Sequence, residues 1–241
     1  MNSTNKLLEI SNLSKSYYSI KNETKVLNNI SLDLYEGEFL GIIGPSGCGK
    51  SSILNIISGL DKNYKGTIKI KKDLKVGYMF QEDLLLPWLT IYDNATLGLK
   101  ITKELNNTNK EYVLNLLKKY KLIDYKDKYP NELSGGQKQR LALIRTLATK
   151  PDILLLDEPF SALDYQTRLK VSEDVYNIIK EQNKTVIMVT HDIEEAIKYS
   201  NRIIVLSKIP SSIKNIHIID NKKDYFNTIW KELDIWHTKN T

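Results

Sequence analysis

Eight consecutive residues, Gly44-Pro45-Ser46-Gly47-Cys48-Gly49-Lys50-Ser51, restrict what this chain can fold into more than any other stretch. They follow the pattern G-x-x-x-x-G-K-S, a glycine-rich loop whose backbone N–H groups cradle phosphates. The flanks suit it. Glu38-Phe39-Leu40-Gly41-Ile42-Ile43 reads as a short buried strand, and Ser52-Ile53-Leu54-Asn55-Ile56-Ile57 spaces its apolar residues for a helix that ends at Gly59. A strand, a glycine turn and a helix start aim successive amides at one anion, and the helix dipole adds to the attraction. The stretch therefore predicts binding of a nucleoside triphosphate. Lys50 would reach its β- and γ-phosphates, and the Ser51 hydroxyl would ligate Mg²⁺.

The 241 residues suffice for one large α/β domain or two small ones. One cysteine, Cys48, excludes an internal disulfide and suits a reducing compartment; lying inside the loop, it is expected to be alkylatable, with ATP protecting it. The net charge of +6 raises nucleic acid or an anionic surface as partners, but only four basic residues are arginine and the lysines are scattered. We expect no nucleic-acid surface. Neither a signal peptide over residues 1–15 nor an apolar run of the ~20 residues needed to cross a bilayer is visible. The expectation is a soluble chain, or one tied to a membrane through a partner.

In chain order, residues 7–12 alternate as a half-buried strand, and a second strand is expected near Val26–Leu34. Tyr17 lies some thirty residues upstream of the glycine loop, where its ring could stack on a base or simply pack on the sheet. Lys65–Ile70 and Lys75–Phe80 read as a short hairpin, followed by Gln81. Leu84-Leu85-Leu86-Pro87-Trp88 is an apolar loop, either tucked under the domain or shown to a partner. Residues 91–129 turn helical, with a break at Asn106-Asn107. Ser134 is a good N-cap for a helix running to about Thr149, and Gly135 and Gly136 leave its first turn open. This is a second anion-binding helix start in one chain.

Residues 153–158, Ile-Leu-Leu-Leu-Asp-Glu, form a buried strand that closes on paired acids. Asp157 suits Mg²⁺ through water, and Glu158 suits the attacking water as its base or orienter. After Ser161-Ala162-Leu163-Asp164 comes a helix near Gln166–Gln182. The strand Val186–Thr190 then delivers His191, which could contact a γ-phosphate or merely cap a helix. Phe226, Ile229, Trp230, Leu233 and Trp236 set a helical stripe over 224–237, read as a C-terminal helix packed on the domain.

Taken in order, these motifs resemble the ATPase subunit of an ATP-binding cassette (ABC) transporter over roughly residues 7–207. The resemblance implies an α/β fold: a P-loop NTPase core with a mixed, mainly parallel sheet, an N-terminal antiparallel β-subdomain and an inserted helical subdomain. It implies a single ABC ATPase domain over 1–241, with the core at about 7–90 and 150–220, the helical subdomain at 91–149 and a C-terminal helix at 221–241. Position by position, Gly44, Pro45, Ser46, Gly47, Cys48, Gly49, Lys50, Ser51 and Ser52 resemble the Walker A segment, although Ser52 stands where threonine is usual. Gln81 resembles the Q-loop glutamine that reaches Mg²⁺, and Leu133-Ser134-Gly135-Gly136-Gln137 resembles the signature. Asp157 matches the Walker B aspartate, Glu158 the catalytic glutamate, Asp164 the end of the D-loop, His191 the switch histidine and Tyr17 the adenine-stacking aromatic.

In that family two cassettes pair head to tail, so Ser134, Gly135 and Gly136 would touch nucleotide held by a second copy. Phe80–Thr90 and Leu206-Ser207-Lys208-Ile209-Pro210 are similar to the nitrate, sulfonate and taurine importer branch; importers of pyrimidine and thiamine precursors share these features. The resemblance implies ATP and Mg²⁺ as cofactors and a peripheral position on the cytoplasmic face of the cell membrane. It also implies membrane permease subunits docking near Leu84–Trp88 and an extracytoplasmic solute-binding protein; because the chain stops soon after the cassette, the regulatory C-terminal domain of some importers is not expected. The alternative is a soluble cassette ATPase acting on DNA or ribosomes. Against it, no sustained heptads lie between Lys50 and Asp157, and there is one cassette rather than two.

Overall fold

Strands buried on both faces need unbroken apolar runs, whereas half-buried strands alternate, and both patterns occur here. The computed structural model describes residues 5–20, 22–161, 163–220 and 224–233. In chain order these form β1 (Lys6–Tyr18), β2 (Glu23–Tyr35), β3 (Phe39–Ile43), α1 (Lys50–Ile57), β4 (Lys65–Ile70) and β5 (Val76–Met79). There follow α2 (Ile91–Ile101), α3 (Asn107–Lys119), α4 (Gly135–Ala148), β6 (Ile153–Asp157) and α5 (Tyr165–Glu181). Last come β7 (Thr185–Thr190), α6 (Ile193–Tyr199), β8 (Arg202–Leu206), β9 (Ile213–Ile218) and α7 (Tyr225–Glu232). The chain divides into two compact units, residues 1–74 with 184–241, and residues 75–183.

In the first unit, β1 is the centre of an antiparallel sheet, with β2 on one side and β4 on the other. Leu8, Ile10 and Leu13 on β1 and Ile30, Leu32 and Leu34 on β2 are buried. A second set of strands places β3 between β7 and β8, parallel to both, and adds β9 antiparallel at the edge. Of the residues in β3, β7 and β8, only Phe39 and Arg202 are not fully buried. The glycine loop therefore leaves the carboxyl end of a strand flanked on both sides, where ligands sit in doubly wound sheets. Helix α7 lays Tyr225, Ile229 and Leu233 against Ile43, Ile193, Ala196, Ile203 and Val205. This supports the packed C-terminal helix read from the sequence; Trp236 lies outside the described residues.

In the second unit β5 runs parallel to β6, with Tyr78 opposite Leu155, and α2 and α3 pack against α4. The stretch 91–149 supplies those three helices. One expectation is overturned. β4 and β5 do not form a hairpin: β4 pairs antiparallel with β1 (Ile10 opposite Ile68), while β5 pairs with β6. Asp73, at φ 66°, lies in the turn between them; Ile68 and Ile70 of β4 become half-buried beside β1, and Met79 of β5 is buried beside β6. Local alternation could not reveal that choice. Among the described residues, no helix is long and apolar enough to cross a membrane.

Candidate functional site

The glycine loop is built so that side chains are kept out of it. Gly49, the N-cap of α1, has φ 98° and offers no side-chain acceptor to the first-turn N–H groups. A Cβ there would lie 2.6 Å from Val26 Cγ1 and 2.8 Å from Leu27 Cδ2. At Gly44 a Cβ would lie 2.7 Å from Cys48 Sγ. A glycine cradle with an uncapped helix start fits a polyphosphate. Lys50, 5% exposed, lies along the loop and donates to the carbonyls of Gly44 (3.0 Å) and Pro45 (3.3 Å).

Cys48 sits on the inner side of the loop with its thiol buried. Burial pushes that thiol up, against the opposing pull of the Lys50 ammonium. The turn after β8 braces the loop from behind: the fully buried Ser211 donates from its hydroxyl to the Cys48 carbonyl and from its N–H to Val26 O at 2.8 Å. Sequence reasoning missed Ser211, which stands immediately after the Leu206–Pro210 string.

Tyr17 is 44% exposed, and its hydroxyl lies 2.9 Å from Ser52 Oγ in the first turn of α1. The structure thus brings these two predicted residues together. Ser51 is exposed in the same turn, and His191 is exposed directly after β7. The next residue, Asp192, caps α6 by accepting from Glu195 N.

The second unit gathers the other predicted residues. Asp157 ends β6 as a buried carboxylate, and Tyr78 on the adjacent strand donates to its Oδ2 at 3.0 Å. The Tyr78 ring stacks on Phe80 at 4.1 Å; burial, and then the Asp157 charge, pushes its phenol far above the usual tyrosine range. A buried carboxylate oriented by a neutral donor fits the oxygen chemistry of Mg²⁺, as does the Ser51 hydroxyl. Glu158 adopts φ 42°, a left-handed conformation uncommon outside glycine, and its carbonyl accepts from both the N–H and the hydroxyl of Ser161 at 3.1 Å. Gln81 Nε2 donates to that same hydroxyl at 3.1 Å, so Gln81, Ser161 and Glu158 form one chain of bonds. Asp164 caps α5, and hydrogen bonds from Thr167 hold its carboxyl below the usual range.

At the second helix start, Ser134 is the N-cap. Ser134 Oγ accepts from Gln137 N at 3.4 Å and Gln137 Oε1 accepts from Ser134 N at 2.8 Å, a capping box. Packing explains one glycine: a Cβ on Gly136 would lie 2.6 Å from Val171 Cγ2 on α5.

The apolar loop is tied down from two helices. Asn94 on α2 accepts from Leu86 N and donates to the carbonyls of Leu86, Leu89 and Thr90, all within 3.1 Å. Arg145 on α4 donates to the carbonyls of Leu84 (2.7 Å) and Asp83 (2.6 Å). Leu85 is tucked in, while Leu84 (49%) and Trp88 (69%) remain exposed. The apolar run signalled the loop; nothing local signalled its two braces.

Residues 27–161, more than half of the chain, match the family model for the ABC transporter. The uncharacterized ABC transporter ATP-binding protein YtlC of Bacillus subtilis is 43% identical, over 94% of this chain and 95% of its own length. The aliphatic sulfonates import ATP-binding protein SsuB of Bacillus cereus is 42% identical, over 90% of this chain and 87% of its own. Among solved structures, the dimeric bacterial ABC transporter cassette MJ0796 superposes with a TM-score of 0.76 at 34% identity, covering 89% of this chain and 99% of that one. Together with a glycine cradle at the end of a buried parallel strand, these likenesses show that the chain belongs to the ABC transporter family, as an ATP-binding and ATP-hydrolysing subunit.

Proposed function

We propose that this subunit powers an importer of a small solute, of the nitrate, aliphatic sulfonate or taurine kind or a pyrimidine or thiamine precursor, through separate membrane permeases. The observation that carries this is the pair of helix starts in one chain, α1 behind Gly49 and α4 behind the Ser134 capping box. One chain has no need of both for one nucleotide, whereas a head-to-tail pair would use each. The dimeric cassette MJ0796 and the sulfonate importer subunit SsuB are the relatives that support the reading.

Bound ATP would supply the phosphoanhydride that is cleaved, and Mg²⁺ would neutralise charge on its phosphate oxygens. Gly44–Ser52 would hold the phosphates, with Lys50 exchanging the Gly44 and Pro45 carbonyls for phosphate oxygens. Tyr17 would stack on adenine, Ser51, Gln81 and Asp157 would hold the metal directly or through water, and His191 would contact the γ-phosphate. Glu158 would take the proton of the attacking water. Ser134, Gly135, Gly136, Gln137 and Asp164 would complete the site of a second copy. The braced loop with Leu84 and Trp88 outward suits a helix of a permease, which would hold the subunit on the cytoplasmic face of the membrane, in a system fed by an extracytoplasmic binding protein.

The test is Glu158→Gln. Turnover should fall ~10²–10⁴-fold with ATP binding retained, as for a lost general base, and gel filtration with ATP should show a trapped dimer. A species that remains monomeric under those conditions overturns the composite site. Uptake of labelled aliphatic sulfonate in cells lacking the subunit would narrow the solute.

A further inference from the structure

Lys15 is 5% exposed, unusual burial for a lysine, and stands two residues before Tyr17 on β1. Its ammonium lies 2.7 Å and 2.9 Å from the two carboxylate oxygens of Asp61 and 2.6 Å from Asn63 O. The same nitrogen sits over the Tyr17 ring, 4.8 Å from its centroid. Asp61 is fixed in turn: its Oδ1 accepts from Asn63 N at 2.9 Å, its N–H donates to Asn55 O at 3.0 Å, and Lys15 holds its carboxyl below the usual range. The turn after α1 thus locks a cation against one side of the ring. At the far end the Tyr17 hydroxyl is held at 2.9 Å from Ser52 Oγ.

A ring fixed at its hydroxyl and under a desolvated cation has little freedom left, although 44% of the residue is exposed. Burying a lysine is costly even when it is paired, and a well-packed apolar pair would serve packing as well. A charge placed on the ring has a further effect that packing lacks: it fixes the plane and polarises the π-system of the aromatic.

We propose that Lys15 is a positioning residue for base recognition: held by Asp61 and Asn63, it sets the plane of Tyr17 so that the open side of the ring accepts the purine. This rests on the reading of Tyr17 as the base-stacking residue. Ligand selectivity then divides within one unit, with the glycine loop reading the polyphosphate and the Lys15–Tyr17–Ser52 arrangement reading the base.

The test uses the full chain and two probes, ATP and inorganic tripolyphosphate, by calorimetry. Lys15→Met/Asp61→Asn removes the cation without stranding a carboxylate. It should raise the Kd for ATP roughly three- to tenfold, the scale of one cation–π contact, leave tripolyphosphate binding unchanged, and act on KM rather than kcat. Lys15→Arg should restore ATP affinity, and the double change should add nothing in a Tyr17→Ala background. Equal losses for both probes, unchanged ATP affinity, or additivity with Tyr17→Ala would overturn the inference. If Tyr17→Ala leaves ATP affinity intact, the stacking reading falls and takes this inference with it. If Tyr17→Ala weakens ATP and the double change does not, only the role of Lys15 falls. Melting curves of each variant establish that the fold is retained.

Discussion

Tyr78 Oη donates to Asp157 Oδ2 across 3.0 Å between neighbouring parallel strands. One carboxylate oxygen is thereby committed to a phenol whose raised pKa keeps it protonated throughout the working range. Tyr78→Phe removes that donor and leaves a buried charge short of a partner. We expect a stability loss of about 1.5–3 kcal/mol in urea unfolding, the scale of a hydrogen bond to a charged group. Because the carboxylate also loses its orientation, the Mg²⁺ concentration for half-maximal ATPase should rise about tenfold. An unchanged requirement for Mg²⁺ would mean that Asp157 is oriented without Tyr78.

Cys48 is buried at 1% exposure, which corrects the expectation of an accessible thiol in the loop. Burial raises its pKa, so the thiolate fraction at pH 8 is below that of a free cysteine. Iodoacetamide should therefore label the native chain slowly with or without ATP, and rapidly in guanidinium, as read by intact mass. The linkage sign follows from the raised value. The neutral thiol favours the fold below the unfolded-state pKa, and this contribution is lost as pH rises through the higher folded-state value, so the Cys48→Ala difference should shrink only above about pH 9. Fast native labelling would place the thiol outside the core.

What could be read in the sequence was what neighbouring residues decide between themselves. The glycine loop, the Ser134 cap and the buried run ending at Asp157 each depend on residues within a few positions, where backbone rules act directly. The supports depend on partners far along the chain: Tyr78 and Asp157 are 79 residues apart, Arg145 and Leu84 61, and Ser211 and Cys48 163. No periodicity encodes such pairs. The misread hairpin belongs with them, since the alternation in β4 identifies a strand without naming β1 as its neighbour.

Gly136 separates packing from recognition. A Cβ there meets Val171 Cγ2 at 2.6 Å, so Gly136→Ala should cost about 1–3 kcal/mol by overpacking. Gly136→Ala/Val171→Ala should recover part of that loss in thermal melts, because the second change makes room for the first. If nucleotide from a second copy approaches this helix start, the double variant should regain stability but not the ATP-dependent dimer. Recovery of both would restrict Gly136 to packing.

Asn94 and Trp88 should behave oppositely, although both serve one loop. Asn94 is fully buried and its side chain bonds four backbone groups of residues 86–90; Leu86 O and Thr90 O keep backbone partners, so Asn94→Ala strands the Leu86 N–H and the Leu89 carbonyl at once. At about 1–3 kcal/mol for a buried group left unsatisfied, we expect a loss at the upper end of that range or beyond, and broadened resonances across the loop. Trp88 is 69% exposed, so Trp88→Ala should change stability by no more than about 0.5 kcal/mol. Its effect should appear only when a permease is present, as weaker co-purification with unaltered ATP-dependent dimerisation of the isolated subunit. Arg145→Met lies between them: it frees the carbonyls of Asp83 and Leu84 while leaving Trp88 in place. If the braced shape of the loop is what a permease reads, Arg145→Met should weaken co-purification nearly as much as Trp88→Ala. If only the indole is read, Arg145→Met should leave co-purification intact.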